Sequence, residues 1–386
     1  MKYRIGIDAL SIVNYGGLTH LMEIINHFQK EKHPLIENIT VFSSDETLNK
    51  LPKKSFLIKK SYSLLNKGKF YRIIFQTFFF DKKIEKSIDI LLSLAGDYTG
   101  KFKPCVGISQ NMLLYETNFF HPIIDIVEKL RFYFNFKRQQ ICFKNAEGVI
   151  FLSKYSEKKI KSCLSTLPKK KQIINHGISK KFVNRQINKL DFKNINTYNL
   201  KKPFKLVYVS SVHIYKNQCN VIKAVSKLRR LGYPITISIV GKIIYRPYGK
   251  KMLDEIEKQD SEREFIEYIS NIPHKEMPHK YLQYDGVVFA SSCENMPNIL
   301  IEAMGSGKPI VCSNKGPMPE FLKDGGYYFD PNSVESIITS IKEMLKSNLK
   351  NFILAKQNHI ELKKFSWEET SLKTFNFLTN ILKKNV

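Results

Sequence analysis

The chain has 386 residues, 43% of them hydrophobic and 25% charged, a balance that excludes a disordered or fibrous protein and a length that calls for two hydrophobic cores rather than one. Its 62 Lys and Arg against 35 Asp and Glu leave a net charge of +27, which draws phosphorylated substrates, acidic lipid or nucleic acid, although an AT-rich genome writes the same excess at undemanding surface positions. Six scattered cysteines (Cys105, Cys142, Cys163, Cys219, Cys293 and Cys312) show no disulfide or zinc spacing, and no apolar run approaches the roughly 20 residues of a membrane span, so a reducing, cytoplasmic setting is expected.

In chain order, short β-branched runs alternate with longer amphipathic stretches, the pattern of parallel strands joined by helical crossovers. Strands are expected over 3–8, 39–43, 88–94, 106–110, 148–152 and 172–175, the first of them opening the chain without the apolar core or cleavage site of a signal peptide. Helices are expected to begin near residues 18, 69, 124 and 154. Two stretches, 69–83 and 129–144, interleave aromatic residues with Lys and Arg as interfacial helices do, so an anionic membrane surface is an expected partner and peripheral attachment an expected location. The Asn- and Lys-rich stretch 183–203, closed by Pro203, reads as a linker between an N-terminal domain over 1–182 and a C-terminal domain over 204–365. Strands of the second domain are expected over 205–211, 235–240, 265–268, 286–290 and 309–312, and 366–386 reads as a closing helix free to pack back on the N-terminal domain. The fold class is therefore α/β, with two Rossmann-like doubly wound domains facing across a cleft, and ligands are expected beyond the carboxyl ends of the strands.

The chemistry concentrates in 291–311, SSCENMPNILIEAMGSGKPIV, which follows the apolar strand 286–290. A strand end, a loop and a helix start meet there. Pro297 suits the first helical turn and Asn295 a cap before it, so backbone N–H groups of the helix start around Met296, Asn298 and Ile299 are expected to receive phosphate or sugar oxygens. Glu294 precedes this helix and Glu302 lies within it; two carboxylates so placed can accept from hydroxyls at opposite ends of a nucleotide sugar. Taken alone, glutamates eight positions apart are common and read as a cap and a solvated side chain.

With its surroundings, the segment resembles the family 4 glycosyltransferases, retaining enzymes with two facing Rossmann-like domains of the GT-B type. The elements that carry the resemblance are Glu294 and Glu302, Ala303-Met304, Gly305-Ser306-Gly307-Lys308-Pro309, Ser313 and Pro319-Glu320. Upstream, LVYVSSVHIYKN over 206–217 is similar to the first strand and loop of the family's C-terminal domain, and Lys216 matches its diphosphate-binding lysine. The Gly-Arg pair common in that loop is replaced by Ser210-Ser211, which shifts donor binding toward Lys216 and the serine hydroxyls. Gly16 and Gly17 fall where many members have a glycine-rich loop lining the cleft, and 146–155 and 175–178 resemble further N-terminal segments. Where the family often has a catalytic histidine this chain has Gln110-Asn111, leaving Asn111 and His121 as candidates for that role.

The resemblance implies transfer of a hexose from a nucleotide diphosphate donor to an acceptor hydroxyl, with retention, in bacterial surface polysaccharide or glycan synthesis. Lys216 and the helix start near Asn298 would stabilise the departing diphosphate, Glu294 would hold the sugar and Glu302 the ribose. The acceptor would be a glycan or a lipid-linked molecule. No Asp-x-Asp pair occurs, so neither a cofactor nor an obligatory metal is expected. A nucleotide-sugar 2-epimerase of the same architecture and a non-catalytic sugar-binding relative stay open. A nucleic-acid-binding protein is the alternative from another class, but no known nucleic-acid-binding module is evident, so nucleic acid is not an expected partner.

Overall fold

The computed structural model describes residues 2–13, 15–116, 126–183 and 187–383. The chain divides into two units, one of residues 1–177 with 365–386 and one of 178–364.

The first unit is built on a parallel sheet of seven strands: β1 (Tyr3–Asp8), β2 (Ile36–Phe42), β3 (Leu57–Lys60), β4 (Ile90–Ser93), β5 (Cys105–Ile108), β6 (Gly148–Phe151) and β7 (Lys170–Ile173). Their order is β3-β2-β1-β4-β5-β6-β7. Every residue of β4, β5 and β6 is buried, which is why these strands read as continuous apolar runs rather than as alternating ones. Each buried Ile, Val or Leu contributes roughly 1.5–3 kcal/mol. The strand β3, Leu-Ile-Lys-Lys, lies at the sheet edge and was not among the expected strands, because lysines at an edge mask the β signal.

Helices cover Tyr15–Asn26, Lys69–Phe78, Ile126–Asn145 and Lys154–Cys163. The first begins three residues before its expected start, so Gly16 and Gly17 sit in a helical turn and not in a loop. At Gly17 a Cβ would lie 2.8 Å from Ile12 Cδ1 and 3.2 Å from Gln110 Oε1; the glycine lets the helix start approach the strand ends. The start expected near residue 124 lies outside the described residues. The last helix, Trp367–Lys383, belongs to this unit: Ser371 Oγ donates to the Ile24 carbonyl at 2.8 Å and Thr370 Oγ1 to the Asn175 carbonyl at 2.7 Å.

The second unit holds a parallel sheet of six strands, β8 (Phe204–Val209), β9 (Ile235–Val240), β10 (Ile266–Ile269), β11 (Gly286–Phe289), β12 (Ile310–Ser313) and β13 (Tyr327–Phe329), in the order β10-β9-β8-β11-β12-β13. The three-residue β13 was not expected either. The stretch 183–203, read as a linker, is counted with this unit: the Phe192 ring lies 5.8 Å from Phe352, and its carbonyl accepts from Asn348 Nδ2 at 3.2 Å. In each sheet strand order runs outward from one central strand and then reverses, so the carboxyl ends of β1 and β4, and of β8 and β11, are the switch points where ligand crevices open.

Candidate functional site

At the switch point of the second sheet two loops leave side by side, 210–217 after β8 and 290–297 after β11. They are tied to each other: Asn217 Nδ2 donates to the Ala290 carbonyl at 2.9 Å, and the Ser292 N–H and hydroxyl donate to the Tyr215 carbonyl at 2.7 and 3.1 Å. A single 3-10 turn, Ile214–Lys216, shapes the first loop. His213 caps it by accepting from the Ile214 N–H, and Asn217 ends it in the left-handed region, φ 54°, which Asn tolerates better than most residues. From the core, the Tyr208 hydroxyl donates to the Lys216 carbonyl at 2.5 Å.

Lys216 is thereby held almost entirely out of solvent, 5% exposed, with its ammonium donating to the Glu294 carboxylate. Its Nζ also lies 4.9 Å from the centroid of the Tyr215 ring and 5.9 Å from that of Phe289. Burial pulls the Lys216 pKa down, but the charge of Glu294, with Tyr215 and Tyr208, outweighs it and leaves the pKa above the ordinary lysine range. The ammonium therefore stays charged throughout the neutral range. Burial also pushes the Tyr215 hydroxyl up to about 12, so it remains neutral.

Ser210 is buried and its hydroxyl accepts from Gln218 Nε2 at 2.9 Å; the same nitrogen donates to the Ser211 carbonyl at 3.0 Å. One glutamine thus fixes both serines. Gly241 makes the packing possible: it has φ +145°, and a Cβ there would stand 1.9 Å from the Ser210 carbonyl oxygen. In the second loop Asn295 and Met296 are buried, whereas Asn298 and Ile299 are partly exposed at the start of the helix Asn298–Gly305. Pro297 occupies the cap position itself, with no side-chain cap bond, so the helix begins one residue later than expected and Asn295 lies two residues before the cap. The outcome is a corner that joins a fixed cation, its carboxylate and a helix N-terminus without a side-chain cap, each of which can bind oxygens of a phosphorylated sugar.

Residues 191–360, which contain both loops, match the family model for glycosyl transferases group 1. The match covers less than half of the chain. Over 173 residues the chain is 28% identical to the O-antigen chain mannosyltransferase B of Escherichia coli, covering 44% of each protein. Over 177 residues it is 27% identical to the lipopolysaccharide 1,2-N-acetylglucosaminetransferase of Salmonella typhimurium, covering 43% of this chain and 45% of that one. The chain thus spans less than half the length of the curated relatives it matches. In fold the likeness extends over nearly the whole chain. HepE from Anabaena, solved in complex with UDP and glucose, superposes with a TM-score of 0.72 at 16% identity, covering 98% of this chain and all (100%) of that one. Sucrose-phosphate synthase from Thermosynechococcus elongatus gives 0.77 at 13% identity, covering 99% and 100%. The fold is that of the GT-B glycosyltransferases.

Within the matched segment 191–360 the two glutamates have different partners. Glu294 pairs with Lys216, whereas Glu302, the fifth residue of its helix, accepts from His274 Nε2 at 2.7 Å. His274 opens the turn that follows β10, and its ring centroid lies 5.6 Å from that of Phe182. The Phe182 segment in turn packs on the Glu302 helix at Gly305, where a Cβ would meet the Phe182 carbonyl oxygen at 2.6 Å. Beneath them the Tyr281 hydroxyl is pushed well above its ordinary pKa by burial and by the Glu302 charge. No spacing in the sequence points to His274, which stands 28 residues from its partner in a polar loop.

The remaining candidates lie outside the matched segment, in the first unit. Asn111 caps the turn Met112–Tyr115 by accepting from the Leu113 N–H at 3.1 Å. Gln110 Nε2 meets His20 Nδ1 at 2.9 Å, and burial, then neighbouring His176, drives the His20 pKa well down. His121 lies outside the described residues. The carboxyl ends of β1 and β4 also carry a network not singled out from sequence. Asp8 Oδ2 accepts from Gln76 Nε2 at 2.7 Å, Gln76 Oε1 accepts from Arg138 Nη2 at 2.5 Å, and Arg138 Nη1 reaches Asp97 Oδ2 at 3.1 Å. Burial, followed by the Asp97 charge, raises the Asp8 pKa to about 7 against the opposing pull of the Leu10 N–H, Gln76 and Arg138. Among the described residues no group of three or more His, Cys, Asp and Glu is placed to hold a metal ion.

Proposed function

We propose that the protein is a retaining glycosyltransferase that moves a hexosyl group from a nucleotide diphosphate sugar to an acceptor hydroxyl in bacterial surface polysaccharide synthesis. The observation that carries this reading is the buried Lys216–Glu294 pair at the β8/β11 switch point, next to the start of the Asn298–Gly305 helix. An ammonium has three donors and Glu294 takes one, which leaves two for a diphosphate. As the sugar–phosphate bond breaks, negative charge grows on the leaving oxygen, where Lys216 and the helix N–H groups stabilise it, while Glu294 orients the sugar whose anomeric carbon turns positive. Glu302 then serves the ribose. The hexose is supported by the mannosyltransferase relative and by the UDP and glucose bound to HepE; retention rests on the family resemblance.

This chemistry needs no resident cofactor, and Lys216 takes the role a metal would have on the diphosphate. A thermal-shift screen with UDP-, GDP-, ADP- and dTDP-sugars tests the reading: the true donor at about 100 times its dissociation constant adds roughly 2.7 kcal/mol of stability. Turnover of that donor should persist in EDTA. No shift with any donor overturns the reading, and complete loss in EDTA that Mg²⁺ or Mn²⁺ restores overturns the metal-free mechanism.

The acceptor is assigned to the first unit and is a glycan or lipid-linked molecule presented at the cytoplasmic face of a membrane. Two of this unit's helices support that assignment. Phe70 and Phe78 on Lys69–Phe78 are each 70% exposed, as are Leu130 (53%), Tyr133 (51%) and Phe134 (63%) on Ile126–Asn145, and Lys and Arg lie between them as on helices that rest in an interface. No helix among the described residues is long and apolar enough to cross a membrane. The protein should sediment with anionic vesicles and not with neutral ones; indifference to lipid charge would defeat the membrane assignment.

A further inference from the structure

Glu302 does not wait for a ligand unrestrained, since His274 Nε2 is already bonded to its Oε1 at 2.7 Å. We propose that His274 is a positioning residue of the nucleotide subsite, holding the Glu302 carboxylate in place for the ribose; this rests on the donor reading above. An ionised carboxylate only accepts, so the proton of this contact belongs to the histidine ring nitrogen. The carboxylate offers about four lone-pair sites, and one bond from His274 leaves enough for both ribose hydroxyls. His274 therefore orients Glu302 without competing for the ligand.

Three elements fix the arrangement. Glu302 and Gly305 stand on one helix, the Phe182 segment enters where Gly305 has no side chain, and the His274 ring lies against Phe182. The turn bearing His274 follows β10, so it leaves the same carboxyl edge of the parallel sheet as the loops that carry Lys216 and Glu294. That edge is where ligands of such sheets bind. His274 itself is 64% exposed, so the bond adds little to folding. Its consequence falls on binding, because a donor that must first immobilise a free glutamate side chain loses affinity.

The test is calorimetric titration of the nucleoside diphosphate corresponding to the donor that shifts the wild type, using wild type, His274→Ala, His274→Gln, Glu302→Gln and the His274→Ala/Glu302→Gln double variant, with steady-state kinetics beside it. His274→Ala should weaken binding roughly 2- to 10-fold, the cost of ordering one long side chain, and raise the donor KM by the same factor with kcat unchanged. His274→Gln, whose amide N–H can replace the ring donor, should recover most of the loss. In the Glu302→Gln background, His274→Ala should cost nothing more. Wild-type affinity in His274→Ala, an equal loss whether or not Glu302 is present, or a fall in kcat without a rise in KM would each overturn the proposal. Failure of the donor reading looks different: no nucleoside diphosphate binds even the wild type.

Discussion

Replacing Lys216 by Ala is expected to lower turnover at saturating donor by about 10²- to 10³-fold, the usual effect of deleting one preorganised group that meets charge developing in the transition state. Donor affinity should fall less, because charge on the leaving oxygen is greatest as the bond breaks. The same change strands Glu294, whose side chain is only 17% exposed and whose single described ion-pair partner is Lys216. Breaking a buried pair by removing one partner costs about 3–5 kcal/mol, so the melting temperature should drop together with kcat, and kinetics must be measured below the new transition. Lys216→Arg separates the two effects. It keeps the positive charge for Glu294 but replaces a compact ammonium, close to the Tyr215 and Phe289 rings, with a planar fork. It should restore stability more than turnover. Turnover in Lys216→Ala within threefold of wild type would remove Lys216 from the chemistry.

How much of this was legible in the sequence depended on how local each feature is. Strands buried on both faces, such as β4, β6, β11 and β12, announce themselves as apolar runs and fell close to their expected places. Edge strands did not: β3 ends in two lysines and β13 has three residues, too little for periodicity to register. Gly16 and Gly17 suggested a loop because the family that the chain resembles often has a glycine-rich loop there, yet a helix start that passes close to Ile12 at Gly17 favours glycine over a larger residue. Pro297 and Asn295 marked a helix start correctly to within a residue or so, the usual margin for a helix end. The site itself was visible only as a motif. Lys216 and Glu294 are 78 positions apart, and nothing in either loop says that their side chains meet. His274 and the Asp8–Gln76–Arg138–Asp97 chain left no trace, because scattered polar residues become a network only when strand ends and helix starts bring them together.

Because the two glutamates answer to different partners, their conservative substitutions should have opposite signatures. Glu302→Gln should weaken the free nucleoside diphosphate and the nucleotide sugar alike. The ribose is present in both, and losing charge-assisted hydrogen bonds costs about 1.5–3 kcal/mol, or roughly 10- to 150-fold in affinity. Glu294→Gln should behave otherwise. A glutamine still accepts from Lys216 through its carbonyl oxygen but no longer claims the ammonium by charge, so a free nucleoside diphosphate should bind as well as before or more tightly. The loss should appear in kcat for the nucleotide sugar if, as proposed, Glu294 orients the group whose anomeric carbon becomes positive, since its negative charge then matters most at that moment. Titration of the nucleoside diphosphate into both variants, with kcat and KM for the sugar donor, decides the assignment. If the two substitutions weaken the nucleotide equally, or if neither changes turnover, the glutamates do not divide the donor between them, and Glu294 is left as the counterion that keeps Lys216 buried.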